Sequence, residues 1–557
     1  MTGVRNGGTA VVEALVAEGV EVVFGIPGTH SLELYRALAD SGLRHVTTRS
    51  EQGAGYAADG YARSSGRPGV CFVTSGPAVN NITAPVGTAH ADSVPLLVVA
   101  PGPPRGREGA DVGELHEMRD QRGSMAGVAE RAVRVSSPAE AAAVVRETFA
   151  RWRSHRQRPV FLEVPLDVLA ESWDGVLPPC PEPTGPPALE AEVLASAGRR
   201  LAAAQRPAVL AGRGSLAAAE ELAELAGLLD APVVTTVNGK GAVPEGHPLS
   251  VGASVRLAPA QELLTDADVV LVVGTGLSDA ELWGWQPDLP GTVIRVDIEA
   301  GQLGKALSPA FGLHGSARDV LAGLLAEVRT APRAAGRADG AEVAARARKA
   351  CAAASAAEAG PWAELNEVLA AALPEGTVVA GDSSQVTYYG TAHHWPAALP
   401  NRLLYPTIYA TLGYGVPAAV GAVIADPGTP VIALVGDGAA MFSVAELATA
   451  VQERLPIPVV VVNDHGYTEI RQGMVRAGIP PLAVDLHTPD FAALGRAMGG
   501  GGVQVRSLPD LVRAVRTALD ADRPTVIELD AGALTAAPEL LTPPTTVPEP
   551  RPVPEEI

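Results

Sequence analysis

Cysteine is scarce in this chain of 557 residues: Cys71, Cys180 and Cys351 stand far apart, in no metal-binding or Cys-x-x-Cys spacing. That argues against a disulfide framework and against thiol redox chemistry, and in favour of buried or incidental thiols. No apolar run approaches bilayer-spanning length, and Met1-Thr2-Gly3-Val4-Arg5-Asn6 lacks the apolar core of a signal peptide. A soluble, cytoplasmic protein with no membrane partner is the expectation. Positive charge is also short, with 42 Lys and Arg against 62 Asp and Glu and a formal net charge of −20. That balance argues against nucleic acid and anionic membranes as partners. No short-period repeat is present.

What the chain does have is length and alternation. It is too long for one core, and its 47% hydrophobic content is that of a globular protein. Up to about Pro101, Val20–Ile26, Cys71–Thr74 and Leu96–Ala100 read as strands, with Ser31–Asp40 and Glu51–Ser65 as helices. The alternation implies a parallel sheet covered by helices. A proline-dense linker follows from Leu177 to Pro187. A second block has strands at Ala208–Ala211, Val233–Val237, Val269–Val273 and Val293–Ile298, and a helix over Leu216–Leu229. From Thr330 to Gly360 the Ala, Arg and Glu content predicts a solvent-exposed connecting helix or linker. A third block carries strands near Val378, Val431, Val459 and Val526, and a proline-rich acidic tail closes the chain. The expected domains are 1–180, 190–335 and 360–535, with 536–557 as a poorly ordered tail.

Within the third block, Val431–Val435 is an apolar run of strand length, and Gly436 and Gly438 let the backbone turn tightly behind it. Ser443-Val444-Ala445-Glu446 has the spacing of a helix capping box. A strand thus ends in a turn that opens a helix. N–H groups at such a turn attract phosphate, Asp437 offers Mg²⁺ a hard oxygen, and Asp464, after Val459–Val462, can supply a second. A lone Gly-Asp-Gly is usually a plain turn.

Taken together, Gly436-Asp437-Gly438-Ala439 and Asn463-Asp464-His465-Gly466-Tyr467 resemble the cofactor signature of the thiamine diphosphate-dependent decarboxylase and acetolactate synthase superfamily. The resemblance implies Asp437, Asp464 and the Gly466 carbonyl as Mg²⁺ ligands, with Gly436, Gly438, Ala439 and Tyr467 beside the diphosphate. The superfamily's usual second Asn is Asp464 here, which leaves the choice between Asn463 and Asp464 open. Phe24-Gly25-Ile26-Pro27-Gly28, Arg49-Ser50-Glu51-Gln52-Gly53-Ala54, Ala57–Arg63 and Val73-Thr74-Ser75-Gly76-Pro77 resemble, in order, its pyrimidine-binding domain. The implied fold is α/β: three consecutive doubly wound parallel-sheet domains, pyrimidine-binding, central and diphosphate-binding.

Glu51 matches the glutamate that hydrogen-bonds the cofactor's aminopyrimidine; outside the resemblance it is an ordinary helix N-terminal carboxylate. The implied chemistry is that this bond lets the cofactor act as its own base, with the thiazolium as electron sink while CO₂ leaves a 2-oxo acid. Pro27, Gly28 and Asn81 are the other implied contacts in this domain. Asp382-Ser383-Ser384-Gln385 resembles the turn at the diphosphate, with Ser384 and Gln385 as contacts. Thr411-Leu412-Gly413-Tyr414-Gly415 resembles the segment that bends the cofactor, with Thr411 beside it and Leu412 as the wedge; the plain alternative is a core leucine. Ala410 stands where glycine is common. Pyrimidine and diphosphate features lie on separate domains, and family precedent puts them on different subunits, implying a homodimer or homotetramer.

His30, His116 and Gln121 complete the catalytic candidates, the histidines as groups that position substrate or move protons, or else as hydrogen-bonded structural residues. Two acetolactate synthase features are missing: Gly274-Thr275-Gly276-Leu277-Ser278-Asp279 replaces the flavin-contacting run, and Glu469-Ile470-Arg471-Gln472-Gly473-Met474 replaces Gln-Trp-Gln. Gly25–Arg36, Leu115-His116-Glu117 and Asp120-Gln121-Arg122 bring the chain nearer the 5-guanidino-2-oxopentanoate decarboxylase branch. Non-oxidative decarboxylation of a 2-oxo acid, with thiamine diphosphate and Mg²⁺, is the expectation. The alternatives are a carboligase joining two 2-oxo acids and a non-catalytic cofactor-binding protein. Glu117, Asp120 and Glu469 are candidate partners for a substrate guanidinium. Ala211-Gly212-Arg213-Gly214-Ser215 holds a single Gly-x-Gly, so FAD is less favoured than a vestigial central domain.

Overall fold

Buried strands of parallel sheets are covered on both faces and therefore read as continuous Val, Ile and Leu runs; Val269–Val273 and Pro458–Asn463 are buried at every position. The computed structural model describes residues 5–186 and 189–534, and in it such runs build three six-stranded parallel sheets. Pro187 and the expected tail 536–557 lie outside the described residues. The first sheet contains β1 (Val22–Gly25), β2 (Arg44–Thr47), β3 (Gly69–Phe72), β4 (Leu96–Gly102), β5 (Arg131–Arg134) and β6 (Val160–Pro165), ordered β2-β1-β3-β4-β6-β5. The second contains β7 (Pro207–Ala211), β8 (Val233–Thr235), β9 (Ser250–Gly252), β10 (Val269–Val273), β11 (Thr292–Asp297) and β12 (Phe311–His314), ordered β12-β11-β10-β7-β8-β9. The third contains β13 (Val378–Gly381), β14 (Leu403–Leu404), β15 (Val431–Gly436), β16 (Pro458–Asn463), β17 (Gly501–Val505) and β18 (Thr525–Asp530), ordered β14-β13-β15-β16-β18-β17.

The first and third sheets thus share one strand order, which reverses between β1 and β3 and between β13 and β15. Ligands of open α/β sheets bind beyond the strand ends at such a reversal. The loops leaving these four strands carry His30, Ser75, Ser384 and Asp437. In the second sheet the reversal falls between β7 and β10, and there two glycine-rich loops lie against each other: Gly214 donates its N–H to the Gly274 carbonyl at 2.9 Å. A Cβ on Gly212 would stand 2.4 Å from that of Thr275, so the Gly-x-Gly serves this contact.

By contact the chain forms two compact units. One holds the described residues of Met1–Pro187 with Glu367–Thr391 and Asn401–Leu534, and the other those of Ala188–Asn366 with Ala392–Pro400. In the first unit, residues of the first and third sheets share one hydrophobic core around the helices Glu51–Ser65 and Gly415–Ala425. In the second unit, the helix Gly340–Ala359 corrects the expectation of an exposed connector. It buries Ala344, Ala347 and Cys351 along one face, packed with Val251 and Leu264. Small side chains give that face too weak a hydrophobic signal to be read as a core stripe. Among the described residues no helix is long and apolar enough to cross a membrane.

Candidate active site

At the first reversal, the chain leaves β1 through Ile26 and Pro27 into a short helical turn, Thr29–Ser31, and Ser31 Oγ accepts the Gly28 N–H at 2.9 Å. A Cβ on Gly28 would stand 2.7 Å from that of Thr74, so glycine lets the loop close on the one leaving β3. That closure brings His30 Nδ1 to 2.6 Å from Ser75 Oγ, which lies 3.4 Å from His116 Nδ1. The two imidazoles stand edge to face with centroids 5.3 Å apart. Burial and His116 together hold His30 below its usual pKa, against a smaller opposite pull from Glu114, so its ring is neutral at pH 7. The group lines a cavity of about 870 Å³.

Gln121 is more committed than a free catalytic amide. Its Oε1 accepts the Gly76 N–H at 2.8 Å, and its Nε2 donates to the Pro101 carbonyl at 2.9 Å and to Glu163 at 3.1 Å. It therefore braces the Ser75-Gly76 turn. Glu163, buried on β6, is itself paired with Arg134. Glu51 opens the helix Glu51–Ser65 with Ser50 as N-cap, and its Oε2 accepts from Asn81 at 2.9 Å.

At the third sheet's reversal, Ser384 Oγ accepts the Gly436 N–H at 3.3 Å, and the chain enters the helix Asp437–Ser443 directly from β15. The capping box expected at Ser443 and Glu446 does not form: the next helix, Glu446–Gln452, has Ala445 at its N-cap with no side-chain bond. Glu446 is instead buried and accepts from the N–H of Arg49 and Ser50, at 3.1 and 2.9 Å, at the foot of the Glu51 helix. Backbone donors left open at that helix start draw the carboxylate across the core.

Asp437 and Asp464 face one another. Burial first, then the Asp464 carboxylate, push Asp437 up to about 7, and its Oδ2 accepts the Gly466 N–H at 3.0 Å. Asn463 turns away to Glu528 and to the His465 N–H, so the structure brings Asp464 to this pair. Among the described residues no three His, Cys, Asp or Glu side chains gather as a metal set. Tyr467 packs on Gly438, where a Cβ would stand 2.7 Å from the ring, with the buried Ala439 next in the helix. The buried hydroxyls of Ser383 and Thr468 have no partner among the described residues.

Asp382 points away from that turn and accepts the N–H groups of Ser383, Gly413 and Gly415, while burial raises it to about 6. It thereby anchors the segment carrying Thr411, which receives the Tyr56 hydroxyl at 2.6 Å, and Leu412. Leu412 is half-buried, unlike a core leucine. Ala410 sits at φ +52°, the left-handed region that explains why glycine suits this position. Gln385 donates to Glu469 at 2.8 Å and to Gln472 at 2.9 Å. Ser75 and Glu163 carry no expectation from the sequence, although Ser75 lies within a quoted motif, and Glu446 stood there only as part of the expected capping box.

Comparisons with known proteins match a family domain to each of the three sheets. The family description "Thiamine pyrophosphate enzyme, N-terminal TPP binding domain" matches residues 5–124, the corresponding central domain 194–324, and the C-terminal TPP binding domain 382–529. The chain is 42% identical to the probable 2-ketoarginine decarboxylase AruI of Pseudomonas aeruginosa, over 94% of this chain and 93% of that protein. It is 30% identical to the acetolactate synthase isozyme 1 large subunit of Escherichia coli over 84% and 83%. It is 32% identical to the acetolactate synthase large subunit IlvB1 of Mycobacterium tuberculosis over 95% and 88%.

Proposed function

The chain belongs to the thiamine pyrophosphate enzyme family, and from that premise we propose that it removes CO₂ non-oxidatively from 5-guanidino-2-oxopentanoate, which is 2-ketoarginine. The observation that carries the substrate choice is the near full-length similarity to a probable 2-ketoarginine decarboxylase. The donor set at the third sheet fits the diphosphate and a divalent cation. Two facing carboxylates need a cation or a proton between them, and the unpartnered Ser383 and Thr468 hydroxyls suit phosphate oxygens. Asp437, Asp464 and the Gly466 carbonyl would hold Mg²⁺. When bound, the cofactor supplies the carbon nucleophile and the electron sink for decarboxylation.

The chain's own groups do the rest. Glu51 has one oxygen engaged by Asn81, leaving Oε1 to hold or release a proton. His30 keeps Nε2 available while Nδ1 rests on Ser75, so the His30-Ser75-His116 line can move a proton toward the carbon that has lost CO₂. Gln121 and Glu163 keep that line in place. Exposed Tyr409, Met441, Phe442 and Ile470 support assembly as a homodimer or homotetramer. Three free thiols and no disulfide among the described residues support a cytoplasmic setting.

The test is CO₂ release with thiamine diphosphate and Mg²⁺ from 5-guanidino-2-oxopentanoate beside pyruvate, with identification of the organic product. An aldehyde from the guanidino acid is expected. The second reading, carboligation, is favoured by the similarity to acetolactate synthases, and a larger ketol from pyruvate would establish it instead.

A further inference from the structure

Five carboxylates line the cavity shared by His30, Ser75 and His116, and four of them are tied to the protein's own frame. Glu163 is buried and bonded to Arg134 and Gln121. Glu108 accepts from the same Arg134 at 2.5 Å. Glu117 accepts the N–H groups of Val112, Gly113 and Glu114 and so closes its own turn. Asp120 caps the helix Gln121–Ala126 through the Gly123 N–H at 2.7 Å. Glu114 differs from all four. Among the described residues the one side chain hydrogen-bonded to it is the guanidinium of Arg107, half-exposed and on the same irregular stretch between β4 and that helix.

We infer that Glu114 is a specificity-determining residue that receives the guanidinium of the substrate, Arg107 being an internal guanidinium that holds the carboxylate until substrate displaces it. This rests on the substrate class proposed above. An exposed ion pair is weak and opens readily, and the incoming group has the same planar fork as the departing one, so the exchange leaves no carboxylate unpaired. Glu114 sits two residues before His116 and its charge reaches His30, which places a guanidinium there within the cavity of the proton-moving groups. Exposed Val112 and Leu115 flank it and offer apolar cover to the substrate's methylene chain. A 2-oxo acid with an uncharged side chain would leave the Arg107–Glu114 pair closed and gain nothing from it. Glu469, an earlier candidate, is held by Gln385 at the third sheet and does not line this cavity.

The experiment compares KM for 5-guanidino-2-oxopentanoate with KM for 2-oxohexanoate, and measures inhibition by butylguanidinium, in the wild-type holoenzyme and in Glu114→Gln and Arg107→Gln. Glu114→Gln should raise the guanidino-acid KM relative to the 2-oxohexanoate KM, and the butylguanidinium inhibition constant, by about tenfold or more. Arg107→Gln should lower both by removing the competitor. Parallel changes for the two acids, or no change, overturn the assignment, as does absence of butylguanidinium inhibition in the wild type. Absence of wild-type CO₂ release from the guanidino acid, with 2-oxohexanoate turned over, counts against the proposed substrate instead.

Discussion

Single side chains carry two measurable consequences. Glu51 has one oxygen free and one fixed by Asn81, so Glu51→Gln keeps the shape and removes the proton-holding group. Its kcat should fall by roughly a hundredfold to ten-thousandfold, with cofactor affinity, read by fluorescence titration, changing far less. Asp437 is held up to about 7 by burial and Asp464, so below that pH it carries a proton which a cation must displace. Mg²⁺ affinity should therefore rise with pH through about 7. At pH 6.5, calorimetry in two buffers of different ionisation enthalpy should show proton release. Equal heats in both buffers would contradict the pairing. The Gly-Asp-Gly triplet was legible because its three residues adjoin in sequence. That Asp464 rather than Asn463 faces Asp437 was not, because it depends on Glu528, 65 residues from Asn463, drawing the Asn side chain away.

At the scale of elements, the helices Glu51–Ser65 and Gly415–Ala425 meet backbone to backbone. A Cβ on Gly421 would stand 1.9 Å from the Ala57 carbonyl oxygen, and one on Gly60 2.2 Å from that of Ala418. The buried Arg63, paired with Asp59 and Asp92, and the Tyr414 hydroxyl, bonded to Asp59 at 2.7 Å, lock the same contact. Gly421→Ala should cost about 1–3 kcal/mol, read as a lower midpoint in denaturant or thermal unfolding, because neither backbone can yield. The helix Glu51–Ser65 and strands such as Val269–Val273 were legible from local pattern. The two-residue β14 and the half-exposed, glycine-led β17 were not, since neither has a hydrophobic period to read. The Gly340–Ala359 helix was mistaken for a connector because its buried face is written in Ala and Cys.

At the scale of the whole molecule, exposed Tyr409, Met441, Phe442 and Ile470 are unusual on a chain of net charge −20. Sedimentation velocity should show a dimer or tetramer at micromolar concentration, with specific activity falling on dilution; a monomer of undiminished activity would refute that assembly. The sequence by itself determined the cofactor family and the architecture. Phosphate-binding turns are short contiguous motifs, and twice-covered parallel strands are contiguous apolar runs, so both survive reading one residue after another. Only the tertiary structure decided how the motifs are held: Ser75 reaches His30 across 45 residues, and Glu446 reaches Arg49 across 397. A buried donor or carboxylate must find a partner, and which partner lies within 3 Å is set by the path of the folded chain, not by its order.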